Sequence, residues 1–191
     1  MKRLRIILLA IAALVATAAS AENIVDRAAR KANSAAGLTA RFAIDGHRSQ
    51  LTVSGVRYAI DTPSMKVYYD GTTQWTYLPE DAEVTLTRPT ADEQAQVNPL
   101  AVLTTLRHNF KVALQGSNKA TFTPKNPSQS EISRIVVTFD TATAWPTAVS
   151  LTSGGHTVNI SGISITTSST VPATSSFRFT APKGVTTIDL R

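Results

Sequence analysis

"YYDGTTQWTYLPEDAEVTL", residues 68–86, gathers Tyr68, Tyr69, Trp75 and Tyr77 within ten positions around Asp70-Gly71. Apolar and polar residues alternate in the runs on either side. Side chains of an extended strand point alternately to two faces, so this spacing predicts two strands. Asp-Gly supplies the positive φ that a tight hairpin turn needs. Trp75 and Tyr77, two positions apart, share one face of their strand.

The same period extends outward. "LTARFAID" places Phe42 and Ile44 on one face, and "SQLTVSGVRYAID" alternates through Leu51, Val53, Val56, Tyr58 and Ile60. "AEVTLT" closes this first group. From residue 111 the pattern resumes with "KVALQG", "KATFTP", "SRIVVTF", "TAVSLTS", "HTVNISG", "ISITT", "SFRFTA" and "TTIDLR". Gly, Pro and Asn punctuate the runs. "TTSSTVPATSS" lies between strands and reads as a long polar hairpin. The expected architecture is mostly β: one incomplete antiparallel barrel of about 10–12 short strands with helices packed on it.

Two helical stretches interrupt the strands. In "NIVDRAARKANSAA", residues 23–36, Val25, Ala28, Ala32 and Ala35 recur at helical spacing, and Gly37 is a natural stop for the helix. Between the strand groups, "TADE" after Pro89 is a capping box, and Asn98-Pro99 opens a second short helix. Leu100, Leu103 and Leu106 line one side of that insert, which spans residues 90–109.

The chain begins with Lys2, Arg3 and Arg5, continues with the apolar run Ile6 to Ala16, and reaches Ala19-Ser20-Ala21. This order is that of a secretory signal peptide, and the apolar run is shorter than the roughly 20 residues that span a bilayer. Residues 1–21 are expected to be cleaved, leaving 22–191 as one domain. No cysteine is present, so neither a lipid anchor nor a disulfide is expected, and the hydrophobic core must supply the stability. A soluble periplasmic location fits.

Removing the leader leaves sixteen Lys+Arg against thirteen Asp+Glu, a net charge of +3. Along the sequence these charges are scattered with no basic stripe, so no nucleic-acid partner is expected. His47, His108 and His156 have no metal-ligand spacing, and neither a nucleophile elbow nor a phosphate loop occurs. Asp61, Asp70 and Asp81 each lie beside turn residues, where aspartate bonds its own backbone. No catalytic residue, metal or cofactor is expected.

The unabsorbed asset is apolar surface. Trp75 and Tyr77 pack either as ordinary cross-strand core or as the wall of a greasy pocket, and alternation alone does not separate the two.

The hairpin "YYDGTTQWTYLPEDAEVTLTRPT", followed by "NPLAVL", resembles the lipoprotein carrier family, LolA-like, in a divergent branch. Asp70, Gly71, Trp75, Tyr77, Glu83, Val84, Asn98, Pro99 and Leu103 carry the resemblance. Phe177, Phe179, Pro182, Gly184, Ile188 and Asp189 continue it at the chain's end, and the order of elements agrees over nearly all of residues 22–191. The resemblance implies an incomplete barrel whose helices form a lid over a hydrophobic cavity. It implies a monomeric carrier that takes acylated lipoproteins from an inner-membrane transporter and releases them to an outer-membrane acceptor. Phe42, Tyr58, Trp75, Tyr77, Leu100, Leu103, Leu106, Phe177 and Phe179 would then line the cavity. Family carriers often have an early-strand Arg-Pro whose arginine bonds the lid. Here no Arg-Pro precedes the hairpin, since Arg88-Pro89 follows it, and Arg57 is the nearest candidate for that latch. A module that binds or senses lipid or glycolipid without shuttling it, and a purely structural β-domain with a filled interior, are the alternatives.

Overall fold

Period-two alternation emerges as strands wherever it was read, with one exception, "SFRFTA", near the C-terminus. The computed structural model describes residues 23–90 and 109–191. Helix α1 spans Ile24–Asn33. The strands are β1 Gly37–Ile44, β2 His47–Ser54, β3 Arg57–Asp61, β4 Lys66–Tyr69, β5 Gln74–Leu78 and β6 Glu83–Thr87. They continue with β7 Phe110–Gln115, β8 Lys119–Pro124, β9 Ile132–Phe139, β10 Pro146–Ser153, β11 His156–Ser168 and β12 Thr186–Asp189. All belong to one open, curled sheet ordered β12-β6-β5-β4-β3-β2-β1-β11-β10-β9-β8-β7. Every neighbouring pair is antiparallel except β12 with β6. The expected signal peptide, residues 1–21, and the leucine-bearing insert at Leu100, Leu103 and Leu106 lie outside the described residues.

The register assigns every side chain to a face. Phe42, Ala40 and Leu38 stand opposite Ser49, Leu51 and Val53, and Leu51 and Val53 stand opposite Ile60 and Tyr58. Across β11, β10, β9 and β8, the same face continues through Ile160, Val149, Leu151, Val137, Ile135, Ala120 and Phe122. Ile24, Val25 and Ala28 of α1 join these residues in a single hydrophobic core. We call this the inner face.

α1 is fixed at both ends by groups that its sequence provides. Asn23 accepts hydrogen bonds from the Val25 and Asp26 amides, each 3.0 Å, which satisfies two otherwise orphan donors. Arg27 donates to the Thr141 and Ala142 carbonyls, and Lys31 to that of Thr143 at 2.8 Å. Three basic contacts thus tie the helix to the β9–β10 turn. Lys31 also lies 5.0 Å over the Trp145 ring.

Four expectations change. "HTVNISG" and "ISITT" are one strand, β11, with a bulge where Gly162, at φ 60°, absorbs an extra residue. "SFRFTA" is not a strand: Thr174–Phe177 forms a 3-10 turn and irregular chain follows. "TTSSTVPATSS" is not a hairpin. The chain leaves β11 beside β1 and returns only at β12, beside β6, so residues 169–185 form a strap from the middle of the sheet to its far edge. Gly37 ends no helix; α1 is capped at Ser34. A Cβ on Gly37 would come within 2.6 Å of Pro172 Cγ, so the glycine lets the strap approach β1.

Candidate functional site

The inner face is nearly free of charge, and it is apolar except at β5 and β6, where Gln74, Thr76, Glu83, Thr85 and Thr87 point inward. Among the inward positions of β1–β11, Glu83 is the one formally charged residue. Phe42 and Tyr58 are both buried there. The Tyr58 hydroxyl donates to Gln74 Oε1 at 2.8 Å, which offsets the loss of its water, and its ring packs 5.5 Å from that of Tyr69. Leu38, Ile44, Met65, Ile163 and Ile165 rest against the core while keeping part of their surface exposed. Their contacts are non-directional and suit an alkyl chain rather than a polar ligand.

Trp75 and Tyr77 do not share that interior. Thr76 and Gln74 stand opposite Val67 and Tyr69 on the inner side, so Trp75 and Tyr77 point outward with Tyr68 and Lys66. Val84 and Leu86, their partners on β6, are buried but lie outside the main core. What covers them is the strap. The Phe179 ring stacks on Tyr77 at 4.8 Å and sits 5.6 Å from Tyr68. Phe177 is fully buried, with the Arg57 guanidinium 4.9 Å from its ring. The expectation of one interior common to Phe42, Trp75, Tyr77 and Phe179 is therefore corrected: the sheet separates Phe42 and Tyr58 from the other three. Large side chains therefore occur on both faces of β4, with Val67 and Tyr69 inward and Tyr68 outward.

Arg57 also lies on the outer side, where its Nη1 donates to Thr174 Oγ1 at 3.2 Å. It latches the strap. Asp70 is the strap's second anchor. Its Oδ1 accepts from the Thr72 and Thr73 amides at 3.0 Å, and Oδ2 accepts from Arg178 Nε at 2.8 Å. Burial alone would raise the carboxyl's pKa. The Thr73 amide, Arg178 and the Thr72 amide together outweigh it and hold Asp70 below the usual range. Nearby, Lys66 and Asp61 pair at 2.9 Å, and that bond raises the lysine's pKa against the opposing effect of burial. Burial raises the pKa of Tyr68 and of Tyr69.

Sequence reading missed Arg178 altogether and took Asp70 as a turn residue and a family-motif position, not as an anchor. No local pattern marks a bond between residues 108 apart. A signal for the covered outer face did exist: Tyr68 and Tyr69 are consecutive, so they must point to opposite faces. His47 and His156 are exposed, and His108 lies outside the described residues. Among the described residues no group of three His, Asp or Glu side chains could hold a metal, and no helix is long and apolar enough to cross a membrane.

The geometry has counterparts among solved structures. An uncharacterized conserved protein from Thermus thermophilus matches with a TM-score of 0.50 and 10% identity, over 87% of this chain and 96% of that one. A Pseudomonas aeruginosa MucA/MucB complex matches at 0.39 and 16% identity, over 83% and 60%. A LolA superfamily protein from Nitrosomonas europaea matches at 0.30 and 9% identity, over 75% and 88%. At such identities the Thermus protein speaks for the fold alone. Among curated proteins, no sequence matches this chain. The family described as "Outer membrane lipoprotein carrier protein LolA" matches residues 11–155, as far as the β10–β11 turn, and the chain belongs to that family.

Proposed function

We propose that the exported chain is a periplasmic carrier whose inner face holds the acyl chains of lipoproteins on their way from the inner to the outer membrane. The family is one of periplasmic lipid- and lipoprotein-binding folds. The observation that carries the reading is the inner face itself, uncharged apart from Glu83, with Leu38, Ile44, Met65, Ile163 and Ile165 only partly covered. Each methylene buried there contributes about 0.8 kcal/mol, so a single chain binds without any polar recognition. Release needs only a second apolar site of equal or greater extent. The donor is then an inner-membrane transporter, the acceptor an outer-membrane protein, and the working form a monomer without cofactor or catalytic residue. Phe42 and Tyr58 form the floor of this site.

Ile165→Glu is expected to weaken binding of a fluorescent palmitoylated lipopeptide about tenfold, because an unpaired carboxylate on the inner face must be desolvated. Thr166→Glu, one position along and pointing outward, should leave binding unchanged. Equal binding by both variants, with far-UV circular dichroism intact, would remove the inner face from the reading. A carrier, unlike a lipid-holding module, must also pass the bound lipopeptide to acceptor vesicles within the assay.

Residues 1–21 act in this scheme as a cleaved export signal. N-terminal sequencing of exported protein should begin at Glu22, one residue before the Asn23 cap of α1; a chain retaining Met1 would refute cleavage.

A further inference from the structure

The charges that look scattered along the sequence are sorted by the fold. On β1–β11 the outward positions carry Arg41, Arg48, Arg57, Lys66, Lys111, Lys119 and Arg134, and one acid, Asp61, which pairs with Lys66. Seven basic residues therefore share a face with one acidic residue. Arg57 and Lys66 lie on the strap side. The other five lie on the half of the sheet that the strap leaves open, β2-β1-β11-β10-β9-β8-β7, and all five are exposed.

We propose that this outward half-sheet is a docking surface for a bilayer leaflet rich in anionic headgroups. Arg48 stands opposite Ala43, which stands opposite Ser161. Ser161 lies one position beyond the Ile160–Val149 pair, beside Ala148, and the line continues through Thr138 to Lys119. Five strand spacings separate its two ends, about 24 Å. Small and hydroxyl side chains pave the space between, and the Gly162 bulge helps form a groove of about 570 Å³ lined by Arg41 and Arg48 with Asp61 at its β3 side. Flanking carboxylates are turned to backbone: Asp45 accepts from the Asn159 amide and Asp140 from that of Thr143. These carboxylates keep their charge at the rim, while on the strands themselves the outward bases outnumber the acids seven to one, so the face is net positive.

Chemistry favours a lipid surface over an acidic protein. A protein partner needs a buried aromatic or aliphatic anchor. The exposed large hydrophobics, Val56, Val112, Leu114, Val171, Ile188 and Leu190, are absent from these outward positions. Widely spaced flexible bases over a polar floor match a laterally continuous anionic surface, and each one near such a surface adds to the attraction. This binding is independent of the acyl-chain site, which lies on the opposite face.

The test uses exported protein and flotation with vesicles containing roughly a third phosphatidylglycerol, beside pure phosphatidylcholine. We expect binding to the anionic vesicles only, lost at about 0.5 M salt. The variant Arg41→Gln/Arg48→Gln/Lys119→Gln/Arg134→Gln should partition about a hundredfold more weakly. It should retain its circular dichroism and its affinity for soluble lipopeptide. Lys183→Gln, on the strap, should bind like the parent. Equal binding to neutral vesicles, no vesicle binding, capture of an acidic protein or nucleic acid alone, or full binding by the quadruple variant would each overturn the proposal. Failure here with intact lipopeptide binding leaves the carrier reading standing.

Discussion

Phe177→Ala is expected to cost roughly 3–5 kcal/mol and to free the C-terminal strap while the antiparallel strands stay folded. Phe177 is fully buried in the native fold, yet it lies outside the main core. Its removal leaves a cavity between the strap and β3, and takes away the ring over which Arg57 sits. The strap's other attachments are few: the Thr174 bond, the Arg178–Asp70 pair, the Phe179 stack and the β12–β6 ladder. Such a segment opens as a unit below the global unfolding free energy. The measurement is limited trypsinolysis, which should cut after Arg178 and Lys183 in the variant well before it cuts the sheet. Outward-facing Trp75 should shift its emission to the red as its surroundings become wet. A variant that loses strap and sheet in one transition would make Phe177 part of the common core.

Asp70→Ala should have the next largest effect, about 2–3 kcal/mol, because three hydrogen bonds to one charged group vanish together. The Asp70 side chain is 7% exposed against 61% for Arg178, so most of the loss arises on the aspartate side. The pH dependence has a definite sign. A carboxyl held below its unfolded value stabilises the fold fully above the ordinary carboxylate range. That contribution is lost as pH falls through the lowered folded value. Strap release should therefore be insensitive to this group near neutrality and rise in acid below about pH 4. Asp70→Asn keeps an acceptor for the turn but abolishes the charge, so it should flatten this acid limb. Trypsinolysis after brief acid exposure and return to neutral pH does not serve; hydrogen exchange of the β12 amides, followed across pH, does. An unchanged acid limb in Asp70→Asn would assign it to other carboxylates.

The strands, their punctuation and the Asp70-Gly71 turn were legible because they depend on neighbours two to four residues apart. Alternation places Trp75 and Tyr77 on one face and Tyr69 and Phe42 each on a face of its own strand. It does not say which faces coincide. That depends on the register of every ladder between β1 and β5, and a shift of one residue at any of them reverses the answer. The family resemblance implied that the face with Trp75 was the inner one. The inner side of β5 instead carries Gln74 and Thr76, where Gln74 satisfies the buried Tyr58 hydroxyl.

Sequence by itself determined the fold class, the helix beginning just after the expected leader, the absence of thiol chemistry and, through its motifs, the family. Each of these rests on local periodicity, composition or a contiguous pattern. Tertiary structure decided what lies on each side of the sheet. It turned an expected hairpin into a strap over the aromatic cluster, assigned Arg57 to that strap, and paired Asp70 with Arg178 across 108 positions. It also collected bases from β1, β2, β7, β8 and β9 onto one surface. The reason is physical: charge and burial act through space, and a sheet brings together residues whose separation along the chain carries no information about their neighbours.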